Sequence, residues 1–244
     1  MSLVSYETSG HIAVITLRRS DRRNALNAEM SALLHEAWTR FAGGPERVAV
    51  LAAEGPHFCA GVDVTDASKE AWKGVPNVGV KLDKPLISAV CGWAVGAGFT
   101  LTMMSDLCVV DDTARFMFPE AKVGMFGGIT ASLVSRIPHK VALEFLMLGE
   151  PMTAARAYEV GLVNRVTAPG KHIETALEFA HKLAGMAPLV LQTIKSATQQ
   201  TLPKSPAETA YPEMGRLTAL AHSEDCREGA RAFAEKRSPV FVGR

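Results

Sequence analysis

Leu86-Ile87-Ser88-Ala89-Val90-Cys91-Gly92-Trp93-Ala94-Val95-Gly96-Ala97-Gly98 passes from an apolar, β-branched run into a turn of small residues. The run has the length and composition of a buried strand, and the turn lets ligand atoms approach the main chain closely. A helix beginning near Ala97 would aim its free N–H groups and positive dipole end at whatever the turn encloses. The same order of residue types occurs upstream, where Val48-Ala49-Val50-Leu51 leads to Phe58-Cys59-Ala60-Gly61-Val62-Asp63. Two such turns can direct two backbone N–H groups at one point, which is how proteins hold a carbonyl that becomes an oxyanion. Taken singly, each is also an ordinary glycine-allowed connection that serves packing.

Working outward, Val4–Glu7 and Ile12–Leu17 bracket a Ser9-Gly10 turn and read as a hairpin. Asn27 is a good N-cap for a helix carrying Leu33, Leu34, Ala37, Trp38 and Phe41 on one face and ending at Gly43-Gly44. Thr65 to Asp83 is polar and weakly patterned, a loop or short helix beside the turns. Short strands are expected near Leu107–Val110 and Arg115–Met117. From Thr130 the chain reads as almost wholly helical, with starts at Ala131, Lys140, Thr153, His172, Pro188 and Ser223. Strand-rich residues 1–185 divide in this reading from a helical region, 186–244.

The 244 residues carry 26 basic and 25 acidic side chains, a net charge of +1, which argues against a nucleic-acid or polybasic membrane surface. The longest apolar stretch, Leu86 to Met104, is broken by glycines and is no membrane span. Four scattered cysteines, Cys59, Cys91, Cys108 and Cys226, form no CxxC pair and read as reduced thiols. With no visible leader, the expected location is cytoplasmic. No His/Cys/Asp cluster has metal-ligand spacing, and no Ser-His-Asp order is readable. His57 reads as a partly exposed loop residue, and Asp111 and Asp112 as turn residues.

Several stretches in this order resemble the crotonase family, the enoyl-CoA hydratase/isomerase superfamily, from Val4 to Phe241. They are Arg19-Ser20-Asp21-Arg22-Arg23-Asn24-Ala25-Leu26-Asn27, the two turns with Lys84-Pro85 before the second, Phe118-Pro119-Glu120, Ala157–Asn164 and Ala232–Pro239. The resemblance implies an α/β fold, a ββα spiral core with a C-terminal helical trimerisation region, as a homotrimer or dimer of trimers. It implies an acyl-CoA thioester held by the backbone N–H groups of Val62 and Ala97, with coenzyme A as part of the substrate and no other cofactor. Family contacts to substrate and CoA carry over to Arg22, Arg23, Ala25, Ala60, Gly61, Asp63, Gly96 and Thr100, and to Phe233 and Lys236 near the C-terminus. Taken alone, Arg22, Arg23 and Lys236 read as solvated surface charges.

Hydratases of this family use two glutamates. This chain keeps the second as Glu120 and has Thr100 in place of the first. Threonine has no pKa suited to proton abstraction near neutrality, so it orients a water or substrate, or simply bonds its own helix turn. One carboxylate suffices to move a proton from C2 to C4 of a 3-enoyl-CoA, and the expected function is therefore Δ3–Δ2 isomerisation with Glu120 as single acid/base. The alternatives are an enoyl-CoA hydratase with a substitute for the missing glutamate and a non-catalytic acyl-CoA-binding protein. A thioester hydrolase or decarboxylase stands behind them. Met125 and Phe126 read either as an acyl-pocket wall or as plain core.

Overall fold

The computed structural model describes residues 2–66 and 70–244. β1 (Val4–Ser9) and β2 (Ile12–Leu17) are an antiparallel hairpin. Ser9 pairs with Ile12, so the turn falls at Gly10-His11, one residue later than expected. α1 (Ala28–Gly43) starts where Asn27 accepts the Met30 N–H, and it buries Met30, Leu34, Ala37, Trp38 and Phe41. The chain then runs through β3 (Val48–Ala53), β4 (Leu86–Val90), β5 (Trp93–Val95), α2 (Ala97–Met103), β6 (Leu107–Asp111) and β7 (Arg115–Met117). Between β3 and β4, residues 67–69 of the segment read as a loop or short helix lie outside the described residues. The rest of it carries a 3-10 turn at Ala71–Gly74, fixed to α1 by the Trp38 indole N–H on the Gly74 carbonyl at 2.8 Å.

After β7 come α3 (Glu120–Val123), a 3-10 segment at Ile129–Ser135, α4 (His139–Leu148), β8 (Met152–Thr153) and α5 (Ala154–Glu159). β9 (Arg165–Thr167) and α6 (His172–Ala184) close the strand-containing part, and α7 (Pro188–Thr201), α8 (Pro206–Ala221) and α9 (Glu224–Glu235) follow. Four elements depart from the expected order. β5 lies inside the stretch read as a turn, β8 and β9 interrupt the stretch read as helical, and α8 had no expected start. α8 opens on a capping box, with Ser205 accepting the Glu208 N–H and Glu208 accepting the Ser205 N–H.

One sheet has the order β1-β2-β3-β4-β6-β9, parallel except for the first pair. The second is β5-β7-β8. Alternation along the large sheet sends Val48, Val50, Ile87, Ala89 and Val109 to one face, where Ala176 and Ala180 of α6 cover them. Ala49, Leu51, Leu86, Val90 and Val110 face the main core with Trp38, Phe58, Phe99 and Phe116. Each such large apolar side chain contributes roughly 1.5–3 kcal/mol by leaving water. The first glycine-rich turn meets the second sheet through the Cys59–Ala94 bridge, which brings the two turns together where the candidate site lies. Among the described residues no helix is long and apolar enough to cross a membrane.

Candidate active site

The two glycine-rich stretches are zipped to each other through backbone hydrogen bonds. The Phe58 and Cys59 N–H groups donate to the Cys91 and Trp93 carbonyls, both at 3.0 Å, and the Val95 N–H donates back to Cys59 at 2.9 Å. On the other side the Ala60 N–H reaches the Arg23 carbonyl at 2.9 Å, and the Leu26 N–H reaches that of Gly61 at 2.8 Å. Once these ladders are made, neither Val62 nor Ala97 donates a hydrogen bond among the described residues. Ala97 is the first residue of α2, whose initial N–H groups have no intrahelical partner.

The turns approach closely because of two glycines with positive φ, Gly61 (+101°) and Gly96 (+52°). A Cβ on Gly61 would stand 3.2 Å from the Val95 carbonyl oxygen and 3.9 Å from the Ala97 nitrogen. A Cβ on Gly96 would stand 2.8 Å from Glu120 Oε1 and 3.9 Å from the Gly61 Cα. The same fact that excludes a side chain at Gly96 places the Glu120 carboxylate beside the two turns. Phe118-Pro119 delivers it there as the first residue of α3, at the end of β7, which pairs with β5. Glu120 Oε2 is buried without a hydrogen-bond partner. Burial pushes its pKa from 4.5 up to about 7, against a smaller opposing effect of its own backbone N–H. A carboxylate poised near neutrality, next to two unused N–H groups, can exchange a proton with a carbon whose neighbouring carbonyl becomes an oxyanion.

Thr100 is buried on α2, and its hydroxyl donates to the Gly96 carbonyl at 3.1 Å. Its hydroxyl proton therefore serves its own helix turn, the structural one of its two expected readings. The carboxylate of Asp63, a residue expected at the CoA ester, has its partners within the chain. Its Oδ2 accepts from Arg19 Nη1 at 2.8 Å, and its Oδ1 from the Thr65 hydroxyl and N–H at 2.6 and 3.0 Å. These bonds hold its pKa down at about 2. Arg22 and Arg23 are exposed beside the first turn, and Ala25 and Ala60 are half-buried there. Phe233 is 88% exposed and Lys236 ends α9 with φ +53°; their backbone hydrogen bonds stay at that helix end. Within one chain the structure thus gathers Gly61, Val62, Gly96, Ala97, Thr100 and Glu120, and does not bring Phe233 and Lys236 to them.

Two features escaped the sequence reading. Asn24, quoted there only as part of a motif, is fully buried in a left-handed conformation (φ 54°). Its amide donates to the Glu54 and His57 carbonyls, both at 2.9 Å, and accepts the Arg19 N–H at 2.8 Å. Trp72 of the 3-10 turn stacks on Tyr211 of α8 at 5.7 Å and 6°, and the Tyr211 hydroxyl donates to the Gly127 carbonyl at 2.8 Å. α8 thereby bridges the segment after the first turn and the loop after Glu120. Met125 and Phe126 on that loop are exposed, Phe126 standing edge-on to Phe118 at 6.2 Å, so neither is plain core. His57 is half-buried and its Nδ1 accepts the Trp93 N–H at 3.4 Å, a connection within the turns.

A family model described as "Enoyl-CoA hydratase/isomerase" matches residues 7–244. "Enoyl-CoA hydratase EchA19" of Mycobacterium tuberculosis is 35% identical, over 98% of this chain and 96% of that protein. "(E)-benzylidenesuccinyl-CoA hydratase" of Thauera aromatica is 36% identical, over 98% and 99%. Among solved structures, a carnitinyl-CoA hydratase from Mycobacterium avium superposes with a TM-score of 0.78 at 36% identity, covering 100% of both chains.

Proposed function

The chain belongs to the enoyl-CoA hydratase/isomerase family, and we propose that it shifts the double bond of a 3-enoyl-CoA to the 2-position with Glu120 as single proton carrier. The acyl-CoA fold and site come with the family; the reaction is read from the carboxylates. Glu120 stands beside the turns, and the position that would hold a partner acid is Thr100, whose hydroxyl is bonded to Gly96. That single observation carries the reading.

In this mechanism ionised Glu120 takes a proton from C2. The C2–H electron pair forms the enolate, and its charge collects on the thioester oxygen between the Val62 and Ala97 N–H groups. Protonated Glu120 then delivers the proton to C4 as the 3,4 double bond moves to 2,3. Each backbone donor contributes about 10²–10³ in rate. The chemistry calls on no group beyond the CoA of the substrate. The backbone near Arg22, Arg23 and Ala25 would meet the CoA moiety, and Phe233 and Lys236 would reach the phosphates and pantetheine of a CoA ester held by another copy of the chain. Assembly into a trimer or dimer of trimers through residues 186–244 is supported by the exposed Leu189, Leu217 and Phe233 of α7, α8 and α9. Free cysteines support a reducing, cytoplasmic setting.

Hydration is the second reading, favoured by the similarity to proteins named hydratases. Incubation with 3-hexenoyl-CoA and with crotonyl-CoA, followed by chromatography, separates the two. The expected result is turnover of the 3-enoyl ester that falls about 10³-fold in Glu120→Gln. Efficient hydration of crotonyl-CoA by the unaltered protein would replace the isomerase reading, and tight binding without turnover of either ester would leave an acyl-CoA-binding protein.

A further inference from the structure

Val62 offers its N–H to the site, yet no side chain holds Val62 itself in place. What fixes that stretch is its neighbour. Asp63 follows the donor directly, and its N–H is bonded to the Leu26 carbonyl at 2.9 Å, closing a short parallel bridge between Leu26 and Val62. The Asp63 carboxylate is gripped by Arg19 at 2.8 Å, and the same Nη1 reaches the Ala25 carbonyl at 2.9 Å. One guanidinium thus ties together both strands of the bridge, at Ala25 on one side and Asp63 on the other. The two side chains are 14% and 11% exposed, so the pair is well shielded from water. Arg19 is anchored in turn, its own N–H bonded to the buried Asn24 at 2.8 Å.

Building on the reading of Val62 as an oxyanion donor, we infer that Arg19 is a positioning residue: through Asp63 it fixes the Val62 N–H and cancels a carboxylate charge beside the developing oxyanion. Both effects act on the transition state more than on the bound ester. The geometric effect matters because a donor displaced by a few tenths of an ångström no longer meets the oxygen where charge builds up. The electrostatic effect has a definite sign. A bare Asp63 carboxylate next to the donor would oppose negative charge on the thioester oxygen, and the Arg19 guanidinium offsets it. Asp63 stays ionised wherever Glu120 titrates, so the pair is intact over the whole working range.

The test uses the full-length protein and 2,4-hexadienoyl-CoA, a conjugated thioester whose ultraviolet band moves to longer wavelength when its carbonyl is polarised. Kinetics on the 3-enoyl ester are read in parallel. Arg19→Met is expected to lower kcat about 10–100-fold with KM changed less than about threefold, and to shrink the spectral shift. Arg19→Lys, which keeps the charge with one point donor, is expected to recover part of both. Asp63→Asn, nearly the same shape, supplies an intermediate loss should Arg19→Met fail to fold. Full kcat and full spectral shift in Arg19→Met would overturn the proposal, as would a loss confined to KM. A protein with unaltered Arg19 that gives no shift at all would instead remove the reading of Val62 as a donor, and the role of Arg19 with it.

Discussion

The strand-containing core and the three helices after residue 185 bury opposite kinds of side chain. In the core, the fully buried large residues are apolar: Trp38, Phe41, Phe58, Phe99 and Leu51 among them. In α7 the buried residue is Lys195, in α8 it is Glu208, and in α9 Glu228 is buried beside Ala232. Each of these charges is held. Lys195 reaches Asp106 at 2.7 Å and the Lys84 carbonyl at 2.8 Å. Glu208 completes its own capping box, and Glu228 gathers Arg231, Arg237 and the Val240 N–H. Meanwhile Leu189, Ile194, Leu217, Leu220 and Phe233 of the same helices point outward. The core is thus organised by removal of apolar surface from water, whereas these helices are pinned by specific polar bonds and keep their apolar faces free.

Substitutions on either side of that division sharpen it. The largest effect on stability is expected for Lys195→Met, which removes a buried ammonium from the partly exposed Asp106 and from the Lys84 carbonyl. Loss of hydrogen bonds to a charged group whose partner stays in contact with water costs about 1–3 kcal/mol, read as a fall in the denaturant midpoint. A loss below about 1 kcal/mol would mean that α7 is not held by this pair.

Glu120 comes next, as a carboxyl group buried beside the core with one oxygen unpartnered. Its pKa near 7 in the folded chain exceeds the ordinary 4.5, so between those pH values the folded form keeps a proton that the unfolded form releases. Stability therefore falls as pH rises through that window. Glu120→Gln lacks this loss, and at pH 8 it is expected to melt higher than the unaltered protein by roughly 2–5 °C, after allowance for partial exposure. The advantage should vanish at pH 4.5. Activity runs the other way, rising with pH through about 7 as the base ionises. A flat rate profile from pH 6 to 8 would separate Glu120 from the rate-limiting proton transfer.

The smallest change in single-chain stability is expected for Leu217→Glu. Leu217 is 66% exposed, so within one chain the change should stay inside about 0.5 kcal/mol. If α8 faces another copy, the same substitution lowers the mass seen by light scattering. An unchanged mass and unchanged midpoint together would remove Leu217 from any interface.

The same division explains what could be read in the sequence. β3, β4 and the glycine turns announce themselves because strand burial and turn geometry are local demands on residue type, and Asn27 announces α1 because a cap is local too. β8 and β9, two and three residues long, exist only through their pairing with β7 and β6. α8 did carry a local signal, the capping box Ser205-Pro206-Ala207-Glu208 with Pro at the first helical position, although no start was expected there. At the site, the backbone donors and Glu120 followed from motif order. Arg19 and Asp63 meet across 44 residues of chain, and no spacing rule reveals that. The reading of Thr100 turned on a rotamer, which sequence does not record.

The two free N–H groups at Val62 and Ala97 have one more consequence. Being main-chain atoms, they survive every substitution at their own positions except proline. Under the proposed function, charge stabilisation is thus insensitive to the side chains at positions 62 and 97 and depends instead on what places those N–H groups, Gly61, Gly96 and the Arg19–Asp63 pair, while proton transfer rests on the Glu120 side chain.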